Sequence, residues 1–164
     1  MNEQASIRVL FVCLGNICRS PTAHGVFRAR VDAAGLAERI EIDSAGTGDW
    51  HIGKPPDARA AASAANRGVD IDDLRARQVR VEDFDTFDYV LAMDGENLAD
   101  LQGLSGRASE RRARIALLSE FSDRYRGKSV PDPYFGGDDG FERVLDMIED
   151  STDGLLAEIT ARLD

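Results

Sequence analysis

The sequence predicts an α/β fold in which a parallel sheet is wound on both sides by helices. Three observations carry that prediction: four short apolar runs of β-forming residues, helical periodicity between them, and a glycine-containing loop leading from the first run straight into the first helix. The runs are Ile7 to Val12, Ile40 to Asp43, Tyr89 to Ala92 and Ile115 to Leu118, short enough to be strands covered on both faces.

The helices follow in order. Over Pro21 to Ala34, residues Ala23, Val26, Phe27, Arg30 and Val31 keep helical spacing, and Gly35 closes the segment. A second helix fits Asp57 to Arg67, entered after Pro55-Pro56 and left at Gly68. Glu96 to Leu104 is a shorter third. The last begins at Asp139, and Phe141, Val144, Leu145, Ile148, Leu155, Leu156, Ile159 and Leu163 hold one apolar stripe nearly to the C-terminus, with an irregularity expected at Gly154. No repeat or low-complexity linker divides the chain, so residues 1–164 read as one domain.

Composition narrows the function. A formal net charge of -10 excludes a general nucleic-acid surface, which needs clustered Lys and Arg. No basic-then-apolar leader opens the sequence and no apolar run reaches membrane-spanning length, so a cytoplasmic protein without a membrane partner is expected. The two histidines, His24 and His51, lack metal-ligand spacing, and no metal is expected. The two cysteines, Cys13 and Cys18, are too few and too close to serve as a disulfide framework, which leaves chemistry as their better explanation.

Both lie in V-L-F-V-C-L-G-N-I-C-R-S-P-T-A, residues Val9 to Ala23. A strand that runs through a glycine-containing loop into a helix gathers backbone N–H groups around one point, and the helix start adds about half a positive charge; this is an anion site. The loop lacks the Lys of a nucleotide P-loop and the G-x-G-x-x-G of a dinucleotide fold, so no nucleotide cofactor is indicated. In the spacing C-x5-R-S, Cys13 sits beneath the bound anion and Arg19 grips two of its oxygens as a bidentate fork. That field favours the thiolate, a nucleophile aimed at phosphorus. An aryl oxygen leaves poorly as the phenolate, whose conjugate acid has a pKa of about 10, so a carboxylic acid should protonate it. Asp132, held between Pro131 and Pro133, is the candidate acid.

With these residues in place, the chain resembles a low-molecular-weight protein tyrosine phosphatase. The resemblance rests on V-C-L-G-N-I-C-R-S-P-T-A, on D-S-A-G-T-G-D-W-H-I-G-K-P-P-D at Asp43 to Asp57, on F-D-T-F-D-Y-V-L-A-M-D at Phe84 to Asp94, and on D-P-Y-F-G from Asp132. It implies three α/β/α layers around a four-stranded parallel sheet of order 2-1-3-4, no cofactor, and hydrolysis of phosphotyrosine and other aryl phosphates through a phosphocysteine. It makes Cys13 the nucleophile, Arg19 the phosphate clamp and Asp132 the acid and later base. Leu14, Gly15, Asn16, Ile17, Cys18 and Arg19 become the phosphate-binding loop. Ser20 would hydrogen-bond the Cys13 sulfur, while Asn16 and Ser44 would hold the loop in shape.

By the same resemblance Trp50, Tyr134 and Phe135 wall the substrate pocket. Phe135 departs from the many members that carry a second tyrosine there, which removes a hydroxyl and a phosphorylation site. Cys18 matches a second loop cysteine, either a packing residue or one that captures oxidised Cys13 as a reversible disulfide. Expected partners are a tyrosine-phosphorylated protein or small aryl phosphate and a cognate tyrosine kinase, with the phosphatase a monomer or weak dimer. Two rival readings fit the sequence less well. An arsenate reductase would pass oxidation to cysteines beyond Cys18, and the sequence has none; a non-catalytic anion binder would not need both Cys13 and Asp132.

Overall fold

Ile7–Cys13 (β1), Ile40–Gly46 (β2), Tyr89–Ala92 (β3) and Arg114–Leu117 (β4) form a parallel sheet of order β2-β1-β3-β4 in the computed structural model, which describes residues 6–133 and 138–164. Both faces of β1 are buried from Val9 onward, which explains its apolar run there, while Arg8 near its start is exposed. Val9, Phe11 and Cys13 join one core cluster, while Leu10 and Val12 join another on the opposite face.

The first face is covered by Arg19–Ala33 (α1) and Asp138–Leu163 (α5), through Ala23, Val26 and Phe27 of α1 and Val144, Leu145 and Ile148 of α5. Phe11 and Phe27 meet edge to face, with ring centroids 5.7 Å apart. Truncating Phe27, which is fully buried, would cost on the order of 3–5 kcal/mol. The second face carries Gly95–Ser105 (α4) and the short Asp83–Thr86 (α3), through Leu101 and Phe84. Ala58–Asn66 (α2) lies beside α5, where Ala60, Cys18 and Phe141 form a small cluster. These are the expected three layers.

β1 pairs with β2 on one side and β3 on the other, so successive crossovers leave it in opposite directions. A crevice opens at the carboxyl end of such a strand, and here that end is Cys13.

Four features depart most from the sequence reading. β2 continues past Asp43 through Ser44-Ala45-Gly46, small residues of weak strand preference that pair with Phe11, Val12 and Cys13. Close approach explains their size: a Cβ on Gly46 would lie 2.7 Å from the Leu14 carbonyl oxygen. β4 ends at Leu117, because Leu118–Phe121 turns into a 3-10 helix. α3 is a single turn, too short for periodicity to mark. The irregularity expected at Gly154 is absent and α5 runs through it; the glycine serves packing, since a Cβ there would lie 1.7 Å from the Phe121 carbonyl oxygen.

Candidate active site

The segment between β1 and α1 doubles back over the end of β2. Thr47 N–H donates to the Cys13 carbonyl and Gly48 N–H to that of Leu14, each at 2.9 Å. Asn16 turns the chain with φ 57°, a left-handed conformation that asparagine tolerates better than most residues. Its side chain secures the turn. Nδ2 donates to Ser20 Oγ at 2.8 Å, and Oδ1 accepts the Arg77 backbone N–H at 3.0 Å. Arg77 is itself clamped by Asp43 at 3.1 Å and Asp83 at 3.0 Å, and these partners keep its guanidinium charged despite burial.

The Cys13 side chain sits inside this loop, where Sγ lies 3.0 Å from Ser20 Oγ, 3.3 Å from Asn16 N and 3.5 Å from Ser20 N. Ser20 Oγ accepts from Asn16 and is also 3.3 Å from the Ala45 carbonyl, so its single proton can serve the sulfur or that carbonyl. α1 has no side-chain cap at Cys18 and no acidic residue in its first turn. Its amino-terminal field therefore reaches the sulfur and the space above it undiminished.

Arg19 is only 2 % exposed. Its Nη1 donates to Asp94 Oδ2 at 2.6 Å and to the Val130 carbonyl at 3.0 Å, while Nη2 lies 3.7 Å from Asp132 Oδ2. Val130 N–H donates to the Met93 carbonyl at 2.8 Å, tying the loop that carries Asp132 to the end of β3. One guanidinium thus links the amino-terminal end of α1, the end of β3 and the Asp132 loop. Asp94 escaped the sequence reading because its other oxygen accepts the Asn97 N–H at 2.8 Å, and a plain helix cap accounts for it locally.

Cys13, Arg19 and Asp132 meet around a cavity of about 160 Å³. Leu14, Gly15, Ile17 and Cys18 line it, and Trp50 and His51 stand on its wall. Asn16 does not face the cavity; its side chain is committed to Ser20 and Arg77. Trp50 is 65 % exposed, as an aromatic at a pocket mouth can be. The sequence reading gives His51 no site role; its place directly after Trp50 on one loop is the signal that points to it. Tyr134 and Phe135 lie outside the described residues.

Ser44 reaches the loop only indirectly. Its Oγ lies 3.1 Å from His24 Nδ1, and the following residue supplies the carbonyl near Ser20. Burial, and then the charge of Arg28, push the His24 pKa down to about 4. Burial, then Asp57, push the Cys18 thiol up to about 12, so Cys18 is a packed thiol at neutral pH. Among the described residues no group of three or more His, Cys, Asp or Glu could hold a metal ion.

A thiol under three hydrogen-bond donors, an uncapped helix start and a clamped guanidinium together suit attack on a tetrahedral oxyanion with a carboxyl group at hand. Residues 8–164 match the family model described as low molecular weight phosphotyrosine protein phosphatase. The low molecular weight protein-tyrosine-phosphatase of Streptomyces coelicolor is 45% identical over 96% of this chain and 96% of its own. The human low molecular weight phosphotyrosine protein phosphatase is 45% identical over 88% of this chain and 90% of its own. The crystal structure of YfkJ from Bacillus subtilis aligns with a TM-score of 0.87 at 39% identity, covering 98% of this chain and 99% of that one.

Proposed function

The chain belongs to the low molecular weight phosphotyrosine protein phosphatase family, and on that premise we propose that Cys13 takes the phosphoryl group of phosphotyrosine as a covalent phosphocysteine and water then releases it. The observation that carries this reading is the set of donors on Cys13 Sγ, from Ser20 Oγ, Asn16 N and Ser20 N. Those contacts fix the sulfur at the base of the cavity, aimed at a bound phosphoryl group.

Attack forms the S–P bond as the P–O bond to the phenol breaks. The N–H groups of Leu14, Gly15, Ile17, Cys18 and Arg19 and the Arg19 fork hold the equatorial oxygens, whose charge is spread in the transition state. Asp132 gives its proton to the departing phenolic oxygen. As a carboxylate it then takes a proton from the water that attacks phosphorus, and the Cys13 sulfur leaves, its returning charge met by Ser20. Trp50 walls the ring of the substrate, which favours an aryl phosphate over a short serine ester.

The whole chain, residues 1–164, serves this one reaction as a monomer or weak dimer. A tyrosine kinase must supply the substrate. A reducing compartment such as the cytoplasm suits a nucleophile that has to remain a free thiol, and no helix among the described residues is long and apolar enough to cross a membrane. Cys18, packed with Ala60 and Phe141, would protect Cys13 by condensing with its sulfenic acid, forming a disulfide and releasing water.

Hydrolysis of p-nitrophenyl phosphate by the purified protein tests the reading. Cys13→Ser should abolish turnover while inorganic phosphate still binds; turnover retained by Cys13→Ser would overturn it.

A further inference from the structure

A cavity of about 160 Å³ accepts a phosphoryl group and part of a ring, but not a polypeptide. The residues flanking a phosphotyrosine must therefore lie on the surface beside it. A groove of about 670 Å³ adjoins the cavity and shares Leu14 and Trp50 with it. One side of the groove is the segment 78–82, and the other is α4.

Three features of the groove bear on its occupant. First, half-buried Val81 and Leu104 give it an apolar lining, backed by the buried Val79 and Leu101. Second, apolar exposure is concentrated where groove and cavity join. Among the described residues the exposed large hydrophobic side chains are Leu14, Trp50 and Ile52, and the first two form the shared wall. Third, its charged residues are mostly acidic. Glu82 and Asp100 outnumber Arg80 along the groove, which disfavours an acidic occupant.

We propose that this groove binds the polypeptide flanking the phosphotyrosine of a protein substrate. An apolar side chain near the phosphotyrosine seats on Val81 and Leu104, and the main chain crosses Leu14 and Trp50. The proposal rests on the phosphatase reading of the adjoining cavity and adds the determinant of which phosphotyrosines are preferred.

The test compares kcat/KM for p-nitrophenyl phosphate with that for short phosphotyrosyl peptides carrying Leu or Asp at each flanking position. Wild type should prefer Leu over Asp at one or more positions by about tenfold. Val81→Glu should lose that preference, and Leu104→Ala, which removes apolar surface without adding charge, should lower kcat/KM for the Leu peptide about fivefold. Both variants should hydrolyse p-nitrophenyl phosphate within about twofold of wild type, since neither residue belongs to the catalytic machinery. Equal peptide kinetics in wild type and both variants, or a peptide loss matched by the loss on p-nitrophenyl phosphate, would overturn the groove assignment. So would unchanged peptide kinetics with self-association abolished by Val81→Glu, which would give the groove to a second copy. Failure of wild type to hydrolyse p-nitrophenyl phosphate would instead overturn the phosphatase reading beneath it.

Discussion

Arg19 Nη1 and Asp94 Oδ2 lie 2.6 Å apart, and the second Asp94 oxygen caps α4 at Asn97 N. The carboxylate thus holds the Arg19 guanidinium in place and starts a helix at once. Asp94→Asn separates the two tasks, because asparagine caps as well as aspartate but offers a neutral acceptor to the guanidinium. Loss of about 1.5–3 kcal/mol at the clamp predicts a fall of roughly 10- to 100-fold in kcat/KM for p-nitrophenyl phosphate. Urea unfolding should move by less than about 1 kcal/mol.

Asp132 should matter in proportion to how badly the leaving group needs its proton. Asp132→Asn should slow phenyl phosphate hydrolysis by roughly 10²- to 10⁴-fold. The loss on p-nitrophenyl phosphate should be smaller, because nitrophenolate leaves without help. Equal losses on the two esters would assign Asp132 to another task, such as its 3.7 Å contact with Arg19.

Oxidation separates the two cysteines. The Cys18 thiol, held protonated by burial, should resist peroxide directly, so that Cys13 is oxidised first. Peroxide followed by a reductant should restore activity to wild type and not to Cys18→Ser. Equal recovery in both would leave Cys18 a packing residue.

His24 makes stability depend on pH. Its folded pKa of about 4 lies below the ordinary value of 6.5, so the unfolded chain binds the extra proton between those two values. The contribution is fully present above pH 6.5 and is lost as the pH falls toward 4, by about 3 kcal/mol at the lower end. In urea unfolding, His24→Gln should remove that part of the decline. An identical slope in both proteins would show that His24 is not its source.

The contrast between Cys13 and Asp94 shows what could be read from the sequence. Cys13 and Arg19 stand in one local spacing whose chemistry needs only a strand before it and a helix after it, and β1, α1 and β3 are marked by their own apolar patterns. Asp94 meets Arg19 across 75 positions, and Arg77 meets Asn16 across 61. Such partners are chosen by the closure of the sheet, and each residue also has a sufficient local explanation. Ser44-Ala45-Gly46 was hidden for a related reason: small residues that let the loop approach carry no strand signature.

The covalent intermediate is the central claim, and it can be trapped. Asp132→Ala mixed with a phosphotyrosyl peptide, quenched in acid, digested and weighed by mass spectrometry should yield one phosphoryl group on the peptide containing Cys13. The same experiment with Cys13→Ser should yield none. Phosphate on any other residue, or hydrolysis that proceeds with Cys13→Ser, would contradict the account.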